Sequence, residues 1–219
     1  MSALTISDTG VGSAPLLRNE PVQARSTARL TSLLDAAAAV VSDIGYERLT
    51  TAMVAERAKS SIGTVYRYFP ERITILHALA ARSLDRFLVQ GVPRVDSSSN
   101  VDWLEAVMAG LKYWVDAFTT EPGFRSLRLG DVLDLRPRAS ETTNNSIVAA
   151  SIVSVLEDRH GFNPDDLQFR VEVAIELCDA LLARAFAFDA LGDKVLIAEA
   201  LSTARNYLIG VYGVPEAIS

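Results

Sequence analysis

Residues 59–72, KSSIGTVYRYFPER, stand apart in a chain otherwise rich in Ala and Leu. About two turns of predicted helix, Ser61 to Phe69, hold a glycine, two hydroxyls, two tyrosines and Arg67. Helix interiors disfavour glycine by roughly 1 kcal/mol relative to Ala, and exposed faces are usually built from Glu, Lys and Gln. The flanking pattern supplies a context. Upstream, Leu30, Leu33, Leu34, Ala37, Ala38, Val41 and Ile44 recur at three- and four-residue steps, predicting a helix that starts at Arg25. Gly45 suits its stop, and Thr50 or Thr51 suits the next N-cap. TAMVAERA (51–58) reads as a short helix, Ser61 opens another, and Pro70 fits the first position of a third that runs to about Val89. Short helices followed by a long one, with the second and third separated by one or two residues, form a helix-turn-helix layout.

That layout explains the composition. A helix presented to the major groove needs small and hydroxyl side chains near phosphates and a few longer donors for base edges. Gly63 leaves the approach open, and Ser61 and Thr64 can donate to phosphate oxygens. Tyr66 offers a flat apolar face for a thymine methyl and a hydroxyl for phosphate. Arg67 can reach a phosphate or pair bidentately with guanine, a contact worth about 1–3 kcal/mol of discrimination. The competing reading is structural: Tyr66, Tyr68 and Phe69 form a packed cluster and Arg67 is an ordinary solvated side chain. It suits Phe69 and Tyr68 better than Tyr66. Arg25 and Arg29 either extend the footprint, as N-terminal arms can, or form a plain solvated face. Arg48 and Arg57 read as surface charges.

LLDAAAAVVSDIGYERLTTAMVAERAKSSIGTVYRYFPERITILHAL, residues 33–79, resembles the DNA-binding domain of TetR-family transcriptional regulators. The order is an apolar first helix, GY with a following Thr, VAERA, then GTVYRYF leading into Pro and the fourth helix. The resemblance covers roughly residues 28–80. It implies that Thr51 touches phosphate, that Ser61, Ile62, Gly63, Thr64, Tyr66 and Arg67 form the recognition-helix surface, and that Arg72 makes another phosphate contact where the family usually has Lys. Val54, Ala55, Ala58, Val65 and Tyr68 take the places of internal packing. Two positions depart from the pattern. Where the family commonly reads AGV before the Ser, this chain reads Ala58-Lys59-Ser60. Lys59 replaces a glycine suited to a positive-φ turn, which implies a small backbone strain, and Ser60 replaces a buried aliphatic.

The rest of the chain is acidic. Of the net charge of −6, residues 25–72 contribute +2 and residues 73–219 contribute −7. A basic segment on an acidic body is compatible with local phosphate binding. Residues 1–24 are rich in Ser, Gly, Thr and Pro without periodicity and read as a flexible tail. GVPRVDSSSN (91–100) reads as a loop. Beyond it, helices are predicted at about 101–120, 124–131, 140–159, 165–190 and 194–211, with NPDD (163–166) as a start signal. The expectation is an all-α fold of about nine helices: a tail (1–24), a three-helix helix-turn-helix DNA-binding domain (25–72) and a helical ligand-binding and dimerisation domain (73–219).

In residues 165–190, Glu172, Glu176 and Asp179 form one narrow polar stripe. The apolar arc around it is too wide for a single contact surface, so the helix is expected to meet its own core on one side and a second subunit on the other; full burial inside one chain is the competing reading. Ile197 and Leu201 continue in step with Leu208 on the last helix. The resemblance implies dimerisation through these last two helices, with Leu177, Leu181, Ile197, Leu201 and Leu208 at the interface. It also implies a small-molecule pocket among Trp103, Tyr113, Trp114, Phe118 and Phe124, with Arg128, Asn144, Asn145 and Cys178 as polar members, although a filled core is the simpler reading of the aromatics. An apolar or aromatic effector fits such a lining.

No Walker loop, GxSxG elbow or GxGxxG turn is present, and His77 and His160 are isolated from other metal-ligand types. The expectation is therefore a non-enzyme with no cofactor and no metal. A single cysteine, no apolar run of membrane-spanning length and no secretory leader point to a cytoplasmic protein. Its expected partners are a double-stranded DNA operator, a second copy of itself and a small-molecule effector, and no membrane. The whole reads as a ligand-responsive repressor released from a palindromic operator. The alternatives are the same fold controlled by abundance or a protein partner, and a binding protein with a degenerate reading head.

Overall fold

The apolar row predicted from Leu30 onward forms the inner face of a long helix, because Leu33, Ala37, Ala38 and Val41 are all buried. The computed structural model describes residues 16–97, 99–127 and 143–216, with side chains from residue 24. The helix, α1 (Leu16–Ile44), begins nine residues before Arg25, so residues 16–24, expected in the tail, are helical. Side chains 24–29 are exposed, so this part of the helix has no buried apolar row to betray it in the sequence. A 3-10 turn (Tyr46–Arg48) leads to α2 (Thr51–Arg57), α3 (Ile62–Tyr68) and α4 (Arg72–Arg86). Glu71 occupies the N-cap of α4, which leaves Pro70 outside the helix it was expected to open.

The expected loop at 91–100 begins as helix. A π-helical turn (Phe87–Gly91) passes directly into α5 (Val92–Val95). Pro93 is tolerated in a first turn, where no N–H is needed. Val95 is fully buried, and Asn100 Nδ2 donates to the carbonyls of Arg94 and Val95, both at 2.8 Å, closing the end. Next come α6 (Trp103–Thr120), α7 (Phe124–Leu127), α8 (Asn144–His160), α9 (Leu167–Ala185) and α10 (Lys194–Tyr212). The expected continuation of α7 to residue 131 lies outside the described residues.

Helix α9 starts later and ends earlier than predicted. Its N-cap is Asp166, whose side chain makes no cap bond. The carboxylate instead accepts from Arg170 Nε at 2.6 Å and the Tyr212 hydroxyl at 2.7 Å, tying the start of α9 to the end of α10. At the other end Phe186 leaves the helix and stacks on Phe118, with ring centroids 5.1 Å apart.

Two apolar cores result. The first joins α1, α2, α3 and the first half of α4, and takes in Leu127 of α7. The second joins Phe87, α5, α6, α8, α9 and α10. Because Ile75, Leu76, Leu79 and Ala80 belong to the first core, it extends past residue 72, the expected domain boundary. Helix α4 is thus shared between the two units. No strand occurs among the described residues.

Candidate nucleic-acid interface

The helix-turn-helix is assembled from caps and two buried valines. Thr50 caps α2 by accepting from the Met53 N–H at 3.2 Å, and Ser61 caps α3 by accepting from the Thr64 N–H at 3.1 Å. Such caps contribute about 1 kcal/mol each. Between the helices, the Ser60 N–H bonds the Ala55 carbonyl and the Lys59 N–H bonds the Glu56 carbonyl, the paired pattern that terminates helices through a left-handed residue. That residue is Lys59, with φ 48°, the only non-glycine at positive φ among the described residues. Val54 and Val65, both fully buried, then lock α2 against α3. Ala55 is buried as well, while Ala58, Ser60 and Tyr68 are only half-buried.

This packing turns one face of α3 outward. Ser61, Ile62, Gly63, Tyr66 and Arg67 are exposed and Thr64 is half-buried. Ile62 and Tyr66 are conspicuous at 47% and 49% exposure. A Cβ built on Gly63 would meet only Ser61 Oγ, at 3.9 Å, so packing within the chain does not require a glycine there. Thr51 Oγ1 donates to the Tyr66 hydroxyl at 3.3 Å, joining the two helices across this face, and Ser61 Oγ lies 2.9 Å from Thr64 Oγ1. Arg72 lies beside the motif but is partly committed: its Nη1 donates to the Glu47 carbonyl at 2.6 Å, closing the 3-10 turn. Arg57 is paired with Asp43, which matches its reading as a surface charge.

Tyr68, read from the sequence as packing, has its hydroxyl in a polar setting. It lies 3.2 Å from Ser26 Oγ of α1 and receives Arg67 Nη2 at 3.5 Å, with the guanidinium 5.2 Å from the ring centroid. The hydrogen bonds from Ser26 and Arg67, reinforced by the charges of Arg67 and Arg29, hold this hydroxyl below its ordinary pKa. No sequence periodicity signals this contact, because it crosses 42 residues.

In the helical domain the expected pocket residues are brought together only in part. Tyr113, Trp114, Phe118 and Phe124 are buried and interlock edge-to-face with one another and with Phe87. Trp103 belongs to a different cluster, stacked on Phe162 at 4.4 Å and set edge-on to Tyr212. Asn145 is buried and donates to Glu176 at 2.6 Å. Cys178 is buried, and that burial, with the neighbouring Asp179 charge, pushes its thiol up to about 12. Arg128 lies outside the described residues. Asp179, read as part of the narrow polar stripe with Glu172 and Glu176, is itself buried, and Trp114 Nε1 donates to it at 3.4 Å. Among the described residues no cluster of His, Cys, Asp or Glu could hold a metal ion, and no helix is long and apolar enough to cross a membrane.

The expected interface residues also divide. Leu177 is exposed and lines a shallow groove of about 590 Å³ with Phe169, Val173 and Ala180, rimmed by Glu172 and Glu176. Leu181, Ile197 and Leu201 are half-buried against the chain's own core. Leu208 is fully buried inside that core and has no surface to offer a second subunit. Its step along α10 places it on the same inward side as Ala200 and Ala204, all three fully buried, where periodicity alone cannot tell one apolar face from the other.

An exposed, capped helix-turn-helix joined through a shared helix to a separate all-helical unit defines a DNA-binding regulator architecture. Comparison with known proteins gives the family. Residues 33–79 match the bacterial regulatory proteins of the tetR family, and residues 101–211 match the tetracyclin repressor-like C-terminal domain. A TetR-family transcriptional regulator from Streptomyces coelicolor, known from its crystal structure, is 32% identical with a TM-score of 0.70, covering 85% of this chain and 99% of that one. The HTH-type transcriptional repressor KstR of Rhodococcus jostii is 41% identical over 63 residues, 29% of this chain and 30% of KstR, so that likeness spans less than a third of the relative. RolR, solved in complex with resorcinol, shares the fold at 20% identity and a TM-score of 0.53, covering 90% of this chain and 100% of that one. The chain belongs to the TetR family of transcriptional regulators. The family and its relatives are DNA-binding regulators, not enzymes.

Proposed function

We infer that the chain is a homodimeric repressor that holds a palindromic operator through α2 and α3 and lets go when a small, largely apolar effector enters the helical domain. The observation that carries this reading is the outward face of α3. Ile62 and Tyr66 are half exposed beside a glycine that internal packing does not need. With no side chain at this position, in the first turn of α3, the backbone is open to close approach by something outside the chain. A DNA backbone can make that approach. Thr51, Ser61, Thr64 and Arg67 supply donors around the same face, and Arg72 retains donors beyond the one spent on Glu47.

One short helix offers too few base contacts for useful selectivity, and a two-fold pair reads two half-sites about one helical turn, or a multiple of it, apart. The apolar groove beside Leu177 is a surface suited to that pairing. Support for repression comes from KstR, a repressor by name, and support for an aromatic effector from RolR, which binds resorcinol. To displace the repressor, the effector must favour the DNA-incompetent state by a few kcal/mol.

A second reading, the same regulator without an effector, is favoured by the edge-to-face packing of Tyr113 and Trp114 on Phe87 and of Trp114 and Phe118 on Phe124. Fluorescence anisotropy on tiled duplexes from the DNA upstream of the chain's own gene tests both. Tight binding of two protomers to one tile, lost in Tyr66→Ala and Arg67→Ala and reversed by an aromatic compound, supports the main reading. Tight binding that no compound reverses supports the second. Weak binding to every tile, abolished by salt and indifferent to both substitutions, overturns both.

A further inference from the structure

The exposed N-terminal stretch of α1 and the C-terminal end of α3 enclose an open groove of about 800 Å³, whose lining includes Arg25, Ser26, Arg29, Ser32, Arg67 and Tyr68. No carboxylate lines it. Among the described residues Arg25, Arg29 and Arg67 form no ion pair, whereas Arg57, Arg82, Arg86, Arg94, Arg159 and Arg170 each meet an acid. Arg25 and Arg29 stand one helical turn apart, where like charges repel, and Arg67 brings a third positive charge to the same groove. Both α1 arginines are exposed, so their placement does nothing for the core. The Ser26–Tyr68 contact at 3.2 Å nevertheless holds this part of α1 beside the recognition helix. A concave, uncompensated cluster of guanidinium groups with the hydroxyls of Ser26, Ser32 and Tyr68 in its lining is suited to a phosphodiester, since arginine matches phosphate oxygens bidentately.

We propose that this groove is a second phosphate-binding subsite, which grips the DNA backbone beside the bases faced by α3 and lengthens the footprint of each half-site. Arg67 sits where the two surfaces meet, following Tyr66 on the base-facing side and lying against Tyr68 in the groove. The proposal rests on the reading that α3 meets DNA, and its test separates the two ideas.

The full chain selects a duplex from a random-sequence library, and anisotropy then gives its Kd across a salt series. The paired substitution Arg25→Ala and Arg29→Ala is compared with the lysine pair Arg25→Lys and Arg29→Lys, and with Tyr66→Ala. The alanine pair is expected to lower the slope of log Kd against log salt by about 2, at roughly 0.9 per phosphate contact. It should weaken selected and random duplexes alike, and the lysine pair should restore the slope. Trimming base pairs from the ends of the selected duplex should weaken the wild-type chain but not the alanine pair, which reads the same contact without a substitution. Should the alanine pair keep the wild-type slope, and the wild type ignore trimming, while Tyr66→Ala loses the selected duplex, the groove is no subsite and the reading of α3 stands. Should Tyr66→Ala bind the selected duplex as well as wild type, or the selection return no duplex, that reading falls and the subsite falls with it.

Discussion

Arg86, the last residue of α4, donates to Glu121 at 2.9 Å, just beyond the end of α6, while the other oxygen of Glu121 accepts from the Tyr113 hydroxyl at 3.1 Å. One carboxylate thus joins the helix that carries the reading head to the aromatic heart of the other domain. Burial, followed by the Glu121 charge, holds the Tyr113 hydroxyl well above its ordinary pKa. Two residues on, Gly123 lies against α1, where an added Cβ would come within 3.0 Å of the Ala38 carbonyl. The α6–α7 turn therefore touches both α1 and α4, and a shift in α6 has a direct route to the helix-turn-helix.

Glu121→Gln is expected to keep the Tyr113 bond and lose the ion pair. Glu121 is largely buried and Arg86 about one-third exposed, so the loss should be about 1–2 kcal/mol, near the range for hydrogen bonds to charged groups. Glu121→Ala should cost more, because Tyr113 then loses its acceptor. Urea midpoints check the order, and equal midpoints for all three chains would remove this contact from the account.

Lys59→Gly is expected to stabilise the chain. A side chain in the left-handed region costs roughly 1–2 kcal/mol, and glycine returns part of that through its freedom in the unfolded state, leaving a gain of about 0.5–1 kcal/mol. DNA affinity should change little, since the turn already has the geometry that glycine would choose. A lower thermal midpoint for the glycine variant would mean that Lys59 makes a compensating contact.

The reading head was legible in the sequence because its signals are local. Caps at Thr50 and Ser61, the buried pair Val54 and Val65, and the strained Lys59 all lie within residues 50–65. The second domain was legible in outline only. Leu208 and Leu177 both recur at helical spacing on broadly apolar helices, and only the docking of α10 on α9 decides which one is buried. Asp179 falls in step with Glu172 and Glu176, yet Trp114, distant in sequence, draws it inward. Helix α5 hid behind a Pro-, Gly- and Ser-rich composition because burial of Val95 and the Asn100 cap outweigh local propensity.

Cys178 gives a pH signature. Its thiol is raised to about 12 in the folded chain, first by burial and then by Asp179, so above the ordinary thiol range the folded state binds more protons than the unfolded one. Stability from this group is fully present below the unfolded pKa of about 8.5 and is lost as pH rises toward 12. Cys178→Ala should flatten the alkaline limb of the stability profile. At pH 8 the native thiol should react with a disulfide reagent only as fast as the chain opens, and immediate reaction would contradict the burial.

The two leucines separate folding from assembly. Leu208→Ala empties a fully buried site and should cost about 2–5 kcal/mol, while below its unfolding midpoint the chain should sediment as the wild type does. Leu177→Glu places a charge in the groove beside Phe169 and Ala180, next to Glu172 and Glu176. It should leave the secondary structure intact and shift the sedimenting species to a monomer at micromolar concentration. On the proposed two-fold pairing, operator affinity should fall with the dimer, because each half-site alone would be held by one recognition helix. A Leu177→Glu chain that remains dimeric would move the pairing surface away from this groove, and a Leu208→Ala chain that is stable but monomeric would mean that α10 turns its other face to the partner.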